Sequence, residues 1–364
     1  MRRDATCARR VARWLPGLAG LLLSTVVTGL PGDARAGTAE AGSAAPAASQ
    51  SQPQNRRSVD EWLVRLHEAS RGRAYQGTFV VSSSSGASSS ARIWHVCDGQ
   101  QQMERVESLT GVRRTTFRRD DEVVTFLPDS RLVRRERRAG LAAFPALLQS
   151  PEATVARYYD VKLLGVEPVA GLDADVIEFV PRDGFRYGHR AWSEKRSGLV
   201  LKVQTLGAGG RVLEQASFSQ LQLDAPVRME VLQQAMSQTS GYRVEASAAA
   251  PTSAEAEGWA LKQPVPGFRS AGCYRRPSAG GSAGPDESPT VQWVFTDGLA
   301  SVSLFLEAYN PGRHVGETVL LAGATRTLTR RITDSRGRPW WLTAMGEVPT
   351  RTLEAFSGGL ERSR

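Results

Sequence analysis

The chain has 364 residues, with 46 lysines and arginines against 37 aspartates and glutamates, so its formal net charge is +9 at pH 7. After the N-terminal 30 residues no apolar stretch is long enough to span a bilayer as a helix. This composition excludes a later membrane-spanning helix and favours partners that carry phosphates or carboxylates.

Residues 1–36 predict a cleaved export signal. Five arginines lie within the first 13 residues, an apolar stretch follows at 14–30, and Ala34-Arg35-Ala36 is a small-x-small cleavage box. A membrane anchor is the alternative, but Pro16 and the short apolar core argue against it. We therefore expect cleavage after Ala36, a mature chain that begins at Gly37, and a location beyond the cytoplasmic membrane.

A first folded domain is predicted at 58–225, after a low-complexity segment at 37–57. That segment consists almost entirely of small and polar residues and proline, which cannot bury enough apolar surface to become ordered. Ser58-Val59-Asp60-Glu61 is then a capping box, and apolar residues recur with the period of a helix over 59–69. This helix should lay Trp62 and Leu63 on the dry face of a sheet.

The rest of this domain predicts two groups of antiparallel strands, because tight turns rich in Gly and Asp separate short runs of β-forming residues. The first group is expected at 74–82, 91–97, 100–109, 112–118, 122–127 and 131–136, and the second at 176–180, 187–193, 199–206 and 211–223. Between them, Pro145 and Pro151 divide 141–160 into two short helices. The predicted class is α+β: a large, curved antiparallel sheet wrapped around helices.

A smaller α+β domain is predicted at 258–364, after a linker at 226–257 that holds one short amphipathic helix. Two hairpins are expected, with strands at 291–295, 299–307, 325–333 and 339–344. Pro349 should then open a final helix. Each domain is large enough for a core of its own.

The chemistry of an enzyme is missing from the sequence. His67, His95, His189 and His314 have no metal-ligand spacing, and no nucleophile elbow, phosphate loop or dinucleotide fingerprint occurs. We therefore expect neither catalysis nor a cofactor.

Two further features leave alternatives open. Cys97 and Cys273 lie in different domains, where they form either one disulfide or, as we favour, two separate thiols. Arginines crowd the strands at 112–118 and 131–136, where they form either a solvated sheet face or a surface that binds phosphates or carboxylates. Nucleic acid is not expected as a partner, because the export signal removes the protein from it.

The order of several short motifs resembles the RseB/MucB family. They are Tyr158-Tyr159-Asp160, the turn from Arg182 to Tyr187, Trp192, Leu213-Glu214-Gln215, Pro266-Gly267-Phe268, Arg275-Arg276-Pro277 and Asp297-Gly298-Leu299. The resemblance covers about 58–360 and implies a periplasmic regulator of the sigma-E envelope stress response. Such a protein binds the periplasmic part of a membrane anti-sigma factor of RseA/MucA type and shields it from regulated proteolysis. The resemblance also implies a first domain like the half-barrel of the lipoprotein carriers LolA and LolB, and release by lipopolysaccharide or another lipid.

Two hypotheses follow, a regulatory binding protein and, as the alternative, a periplasmic lipid or lipoprotein carrier. Lipid-binding candidates are the apolar residues of the predicted helices, namely Trp62, Leu63, Phe144, Leu147 and Leu148. Partner-binding candidates are Arg182 and Arg186, which can pair with carboxylates, and Phe185 and Tyr187, which supply contact area. A plain hairpin turn is the alternative for these four residues, and a homo-oligomer is left open.

Overall fold

The computed structural model describes residues 57–99, 101–137, 155–246, 249–277 and 289–363. The predicted export signal with Ala34, Ala36 and Gly37, the segment at 37–56, and Phe144, Leu147 and Leu148 lie outside these residues. No helix within the described ranges is long and apolar enough to cross a membrane.

Strands dominate the described residues, which also contain three α-helices, so the predicted α+β class is met in part. The helices are α1 (Val59–Arg71), α2 (Met229–Ser237) and α3 (Thr350–Gly359). The capping box of α1 is confirmed, since the Glu61 amide donates to the Ser58 hydroxyl and the Ser58 amide donates to the Glu61 carboxylate. Short 3₁₀ turns occur at Pro128–Ser130, Val155–Arg157 and Ala208–Gly210.

The first sheet has twelve strands in the order β12-β6-β5-β4-β3-β2-β1-β11-β10-β9-β8-β7. Their bounds are β1 Tyr75–Ser83, β2 Ser88–Cys97, β3 Gln102–Ser108, β4 Thr115–Arg119, β5 Glu122–Leu127, β6 Leu132–Arg137, β7 Tyr159–Val169, β8 Leu172–Pro181, β9 Gly188–Glu194, β10 Val200–Leu206, β11 Val212–Leu223 and β12 Arg243–Ala246. Two antiparallel meanders, β1–β6 and β7–β11, join where β1 pairs with β11. Only the β12–β6 pair is parallel among the described pairs of this sheet.

The second sheet has seven antiparallel strands in the order β13-β15-β16-β17-β20-β19-β18. Their bounds, with those of a separate pair formed by β14 and β21, are β13 Ala250–Thr252, β14 Trp259–Leu261, β15 Arg269–Arg276, β16 Thr290–Thr296, β17 Ser301–Ala308, β18 Thr318–Ala322, β19 Thr325–Thr333, β20 Pro339–Gly346 and β21 Leu360–Arg362. The predicted linker thus contains α2, an edge strand of the first sheet and an edge strand of the second.

Each helix covers one part of a sheet with its apolar side. Helix α1 packs on strands β7–β10, α2 packs on β2–β6, and α3 closes the core of the second sheet through Leu353 and Phe356. The cluster beneath α1 also contains Leu299, from the turn between β16 and β17 of the second sheet. The cores of the two sheets therefore meet at this residue.

Candidate functional site

The turn at 182–187 contacts the second sheet through Arg186, whose side chain is fully buried. Its Nη1 donates to Asp297 Oδ2 at 2.8 Å, its Nε to Asp183 Oδ1 at 2.9 Å, and its Nη2 to the Pro266 carbonyl at 2.5 Å. The guanidinium also lies over the rings of Tyr158 and Phe268, 4.4 Å and 5.2 Å from their centroids. All three nitrogen atoms of this guanidinium thus donate to groups of the same chain.

Asp297 completes the buried pair from the second sheet. Its Oδ1 accepts from the amides of Leu299 and Ala300 at 3.0 Å and 2.7 Å, which fixes the turn after β16. Its Oδ2 accepts from the Tyr159 hydroxyl at 3.2 Å as well as from Arg186. Two residues of the first sheet region and one turn of the second are therefore tied together by four hydrogen bonds to one carboxylate.

The electrostatics of this pair follow from its burial. Burial raises the pKa of Asp297, while the charge of Arg186 and the two backbone amides oppose that rise by stabilising the carboxylate. Burial also raises the pKa of the Tyr159 hydroxyl, which therefore remains a donor at neutral pH. Because both charges are out of water, removing either one would leave the other without compensation.

Gly267 allows the close approach of the two sheets at this point. It has a φ of +78°, and a Cβ there would lie 2.9 Å from Arg186 Nη1 and 2.8 Å from the Tyr158 ring. A larger residue would be strained and would push the guanidinium away. The Pro266-Gly267-Phe268 motif is therefore shaped to receive Arg186.

Leu299 lies beside this pair and inserts into the cluster beneath α1. It is 3% exposed and packs among Trp62, Leu63 and Val155. The two lipid-binding candidates in the described residues, Trp62 and Leu63, are themselves only 3% and 1% exposed. The structure thus places them in a filled core that is shared with the second sheet.

The rest of the turn at 182–187 flanks the buried pair. The Thr352 hydroxyl donates to the Phe185 carbonyl at 2.6 Å, and the Arg351 guanidinium lies 4.9 Å from the centroid of the Phe185 ring. Tyr187 is buried against Leu213 of β11 and Ala324. Arg182 differs, because it pairs with Asp160 at the surface, where both side chains are about half exposed.

We call this contact region the junction, defined by Tyr159, Phe185, Arg186, Tyr187, Leu213, Pro266, Gly267, Asp297, Leu299 and Ala324. It contains residues from four of the sequence motifs that carry the family resemblance, together with Tyr159 from a fifth. Sequence reasoning selected the turn at 182–187 but missed Asp297 as the partner of Arg186. The signal was present as Asp297-Gly298-Leu299, which cannot be matched to Arg186 without the tertiary structure.

Other candidates from the sequence lie elsewhere. Cys97 and Cys273 are both free thiols, the first half-buried at the end of β2 and the second buried in the core of the second sheet. Among the arginines on β4–β6, Arg118 forms a buried ion pair with Glu104, and others pair with acidic neighbours at the surface. Within the described ranges no cluster of three His, Cys, Asp or Glu side chains could hold a metal ion.

Comparison with known proteins places both sheets in one family. The model for the MucB/RseB N-terminal domain matches residues 58–236, and that for the MucB/RseB C-terminal domain matches 253–361. The sigma factor AlgU regulatory protein MucB of Pseudomonas aeruginosa is 32% identical over 301 residues, which cover 81% of this chain and 88% of that protein. The sigma-E factor regulatory protein RseB of Escherichia coli K12 is 22% identical over 300 residues, 82% of this chain and 89% of that one.

Solved structures agree. The complex structure of Pseudomonas aeruginosa MucA/MucB contains a chain with a TM-score of 0.64 and 29% identity, and the match covers 84% of this chain and 99% of that one. A crystal structure of MucB in complex with MucA(peri) gives a TM-score of 0.62 and 30% identity over 83% of this chain and 98% of that one. The chain is therefore a member of the MucB/RseB family.

Proposed function

We propose that this protein is a non-enzymatic periplasmic regulator that binds the periplasmic part of a membrane anti-sigma factor of RseA/MucA type. By covering that segment it protects the anti-sigma factor from regulated proteolysis and so represses the sigma-E envelope stress response. The observation that carries this proposal is the similarity along both sheets to MucB, which has been solved in complex with MucA. Export through cleavage after Ala36 is part of the proposal, because the partner's segment lies outside the cytoplasmic membrane.

The junction supports a binding surface built from both sheets. A periplasmic segment of an anti-sigma factor that is unstructured on its own needs a preorganised surface to order it, because ordering a flexible chain costs free energy. The buried Arg186–Asp297 pair and the insertion of Leu299 hold the two sheets in one arrangement. We infer that residues 58–225 and 258–364 act as two domains of one clamp.

Within the turn at 182–187, we assign two different roles. Arg186 and Tyr187 are buried and position the two sheets, whereas Arg182 is about half exposed and can exchange Asp160 for a carboxylate of the partner. Phe185 is partly buried against the core of the second sheet and belongs to the same turn as Arg182. Direct contact with the partner is therefore proposed for Arg182 and Phe185.

Release by lipopolysaccharide or another lipid is proposed to act through the cluster beneath α1. We infer that the first sheet is a half-barrel of LolA/LolB type, in which acyl chains would enter between the helices and the sheet. Trp62 and Leu63 belong to the same buried cluster as Leu299. An acyl chain that entered this cluster would displace Leu299 and loosen the junction. Phe144, Leu147 and Leu148 remain lipid-binding candidates.

The test is a protection assay with the purified protein and the periplasmic segment of the cognate anti-sigma factor. The rate at which the regulatory protease cleaves the segment is measured with increasing protein. We expect the intact protein to slow cleavage at least tenfold, and a surface variant such as Arg211→Gln to do the same. Unchanged cleavage at saturating protein would contradict the proposal, and equal protection by residues 37–225 alone would contradict the clamp and favour the carrier alternative.

A further inference from the structure

Arg351, in the first turn of α3, lies against the turn at 182–187 and remains exposed. Its guanidinium carbon is 4.9 Å from the centroid of the Phe185 ring. The hydroxyl of the next residue, Thr352, fixes the same stretch of backbone by donating to the Phe185 carbonyl at 2.6 Å. Helix α3, which packs on the second sheet, therefore brings a cation to the surface of the first domain beside the junction.

Gly184 leaves room for this guanidinium. A Cβ at Gly184 would lie 3.0 Å from Arg351 Cζ and 3.6 Å from its Cδ, and closer still to its Nη1. The φ of Gly184 is not in the left-handed region, so the conformation of the turn does not itself require a glycine there. Arg351 is thus held against Gly184 and the Phe185 ring. A side chain that is already ordered loses little conformational freedom when it binds a ligand.

The arginines of the turn itself already hold carboxylates, whereas Arg351 does not. Arg186 is paired in the buried site, and Arg182 donates to Asp160 Oδ1 through Nε and Nη2 at 3.1 Å and 2.6 Å. No carboxylate among the described residues pairs with Arg351, and the first turn of α3 contains no acidic residue. A cation in the first turn of a helix opposes the helix dipole, so Arg351 does not serve to stabilise α3.

From these observations we propose that Arg351 binds the carboxylate of an aspartate or glutamate in the periplasmic segment of the anti-sigma factor. The inference rests on the proposed function and adds to it a contact made by the second domain. A guanidinium can donate two parallel hydrogen bonds to one carboxylate, and the Phe185 ring beside it supplies apolar contact area. The segment is then held by one cation from each domain, Arg182 from the first and Arg351 from the second.

The phosphate of an anionic lipid is the competing occupant of this site, because it would also pair with a guanidinium. The structure favours a carboxylate, since Arg182 and Arg186 of the adjoining turn both hold aspartates. A segment that brings an acidic residue to Arg351 would complete the same pattern with a group from another chain.

The first test is the affinity of the folded protein for the segment, measured by isothermal titration calorimetry. Arg351→Glu should weaken binding by about tenfold or more, because it replaces an attraction with a repulsion. Arg228→Glu is the matched control and should change the affinity less than about twofold. Arg228 is also exposed at the start of a helix, α2, and has no ion pair among the described residues. Circular dichroism and the melting temperature establish that each variant is folded.

A second variant tests the ordering of the guanidinium with Arg351 still present. Gly184→Ala places a methyl group where the guanidinium lies, so it should weaken binding about threefold or more. In the Arg351→Glu background the same substitution should have no further effect, because the ordered cation is already gone. A threefold loss in both backgrounds would show that Gly184 acts on the turn alone and would count against the proposal.

The third test exchanges the charges between the two proteins. Each aspartate and glutamate of the segment is replaced by lysine in turn, and one of these segments should bind the Arg351→Glu variant at least tenfold more tightly than the unaltered segment does. A purely structural role of Arg351 would not be rescued by a change in the partner. The absence of rescue at every acidic position would therefore overturn the proposal.

The remaining outcomes separate this inference from the proposed function. If the wild-type protein and Arg351→Glu bind the segment equally well, the carboxylate site is refuted and the regulatory function stands. If the wild-type protein does not bind the segment, both are contradicted. If Arg351→Glu reduces co-sedimentation with phosphatidylglycerol vesicles but leaves the affinity for the segment unchanged, the anion is a lipid phosphate and the proposal is refuted.

Discussion

Replacing Arg186 by methionine should destabilise the protein strongly, because it leaves Asp297 buried without its counter-charge. The side chains of both residues are 0% exposed, and their atoms are 2.8 Å apart. Breaking a buried ion pair by removing one partner costs about 3–5 kcal/mol. Each kcal/mol of destabilisation lowers the melting temperature of a domain of 150–250 residues by about 2–4 °C, so the melting temperature should fall by roughly 6–20 °C.

The assay is thermal and urea unfolding followed by circular dichroism, with Arg182→Met as the matched control. Arg182 belongs to the same turn and also pairs with an aspartate, but its side chain is 49% exposed, so its replacement should leave the melting temperature nearly unchanged. The double variant Arg186→Met/Asp297→Asn should lose less than the two single variants together, with a coupling of at least about 1 kcal/mol. If Arg186→Met lowers the free energy of unfolding by less than about 1 kcal/mol, or by no more than Arg182→Met does, the Arg186–Asp297 pair does not stabilise the junction.

Three further predictions concern packing, thiol reactivity and pH. Leu299→Ala should cost about 2–5 kcal/mol, because it opens a cavity in the cluster beneath α1, and a value below 1 kcal/mol in urea unfolding would show that this leucine is not in that core. Burial raises the pKa of the Cys273 thiol to about 11, so at pH 8 iodoacetamide should modify Cys97 in the folded protein and Cys273 only in urea, as mass spectrometry can check. Burial lowers the pKa of His95, so below about pH 6.5 the unfolded chain binds a proton at this residue that the native state does not bind. The contribution of neutral His95 to the free energy of unfolding should therefore be complete above that pH and decline as the pH falls through the native pKa. A melting temperature that does not change between pH 7.5 and 5 would contradict this.

Helices and strands that depend on interactions between residues close in sequence could be predicted. The capping box at Ser58 and the apolar period behind it gave α1, and Pro349 marked the start of α3. Most strands of the two meanders were also predicted, because glycine-containing and aspartate-containing turns separate them. Errors at their ends amount to a few residues.

Strands that depend on distant partners were missed. Strand β7 was missed: its first two residues fell at the end of the predicted helical segment 141–160, and the rest was assigned to no element, because its exposed residues from Lys162 to Pro168 show no alternation between apolar and polar side chains. An edge strand with little packed on it has no need of that alternation. Strands β12 and β13 were read as linker, since three or four residues acquire their structure only by pairing with β6 and β15.

One member of the buried ion pair could be predicted from the sequence and the other could not, for a related reason. Arg186 was selected because an arginine beside aromatic residues in a turn is suited to bind carboxylates, and it does so. Its main carboxylate is Asp297, 111 residues away in the same chain. A sequence pattern indicates which chemistry a side chain favours, whereas the tertiary structure determines whether the partner is internal or external.

The measurement that tests the central claim most directly is the affinity of the purified protein for the periplasmic segment of its cognate anti-sigma factor, by isothermal titration calorimetry. We predict one segment bound per chain with a Kd of about 1 µM or below, and at least tenfold weaker binding by the Arg186→Met variant at a temperature where it remains folded. The absence of binding at 100 µM segment would contradict the regulatory function. Equal affinity of the variant would contradict the role of the junction in holding the binding surface together.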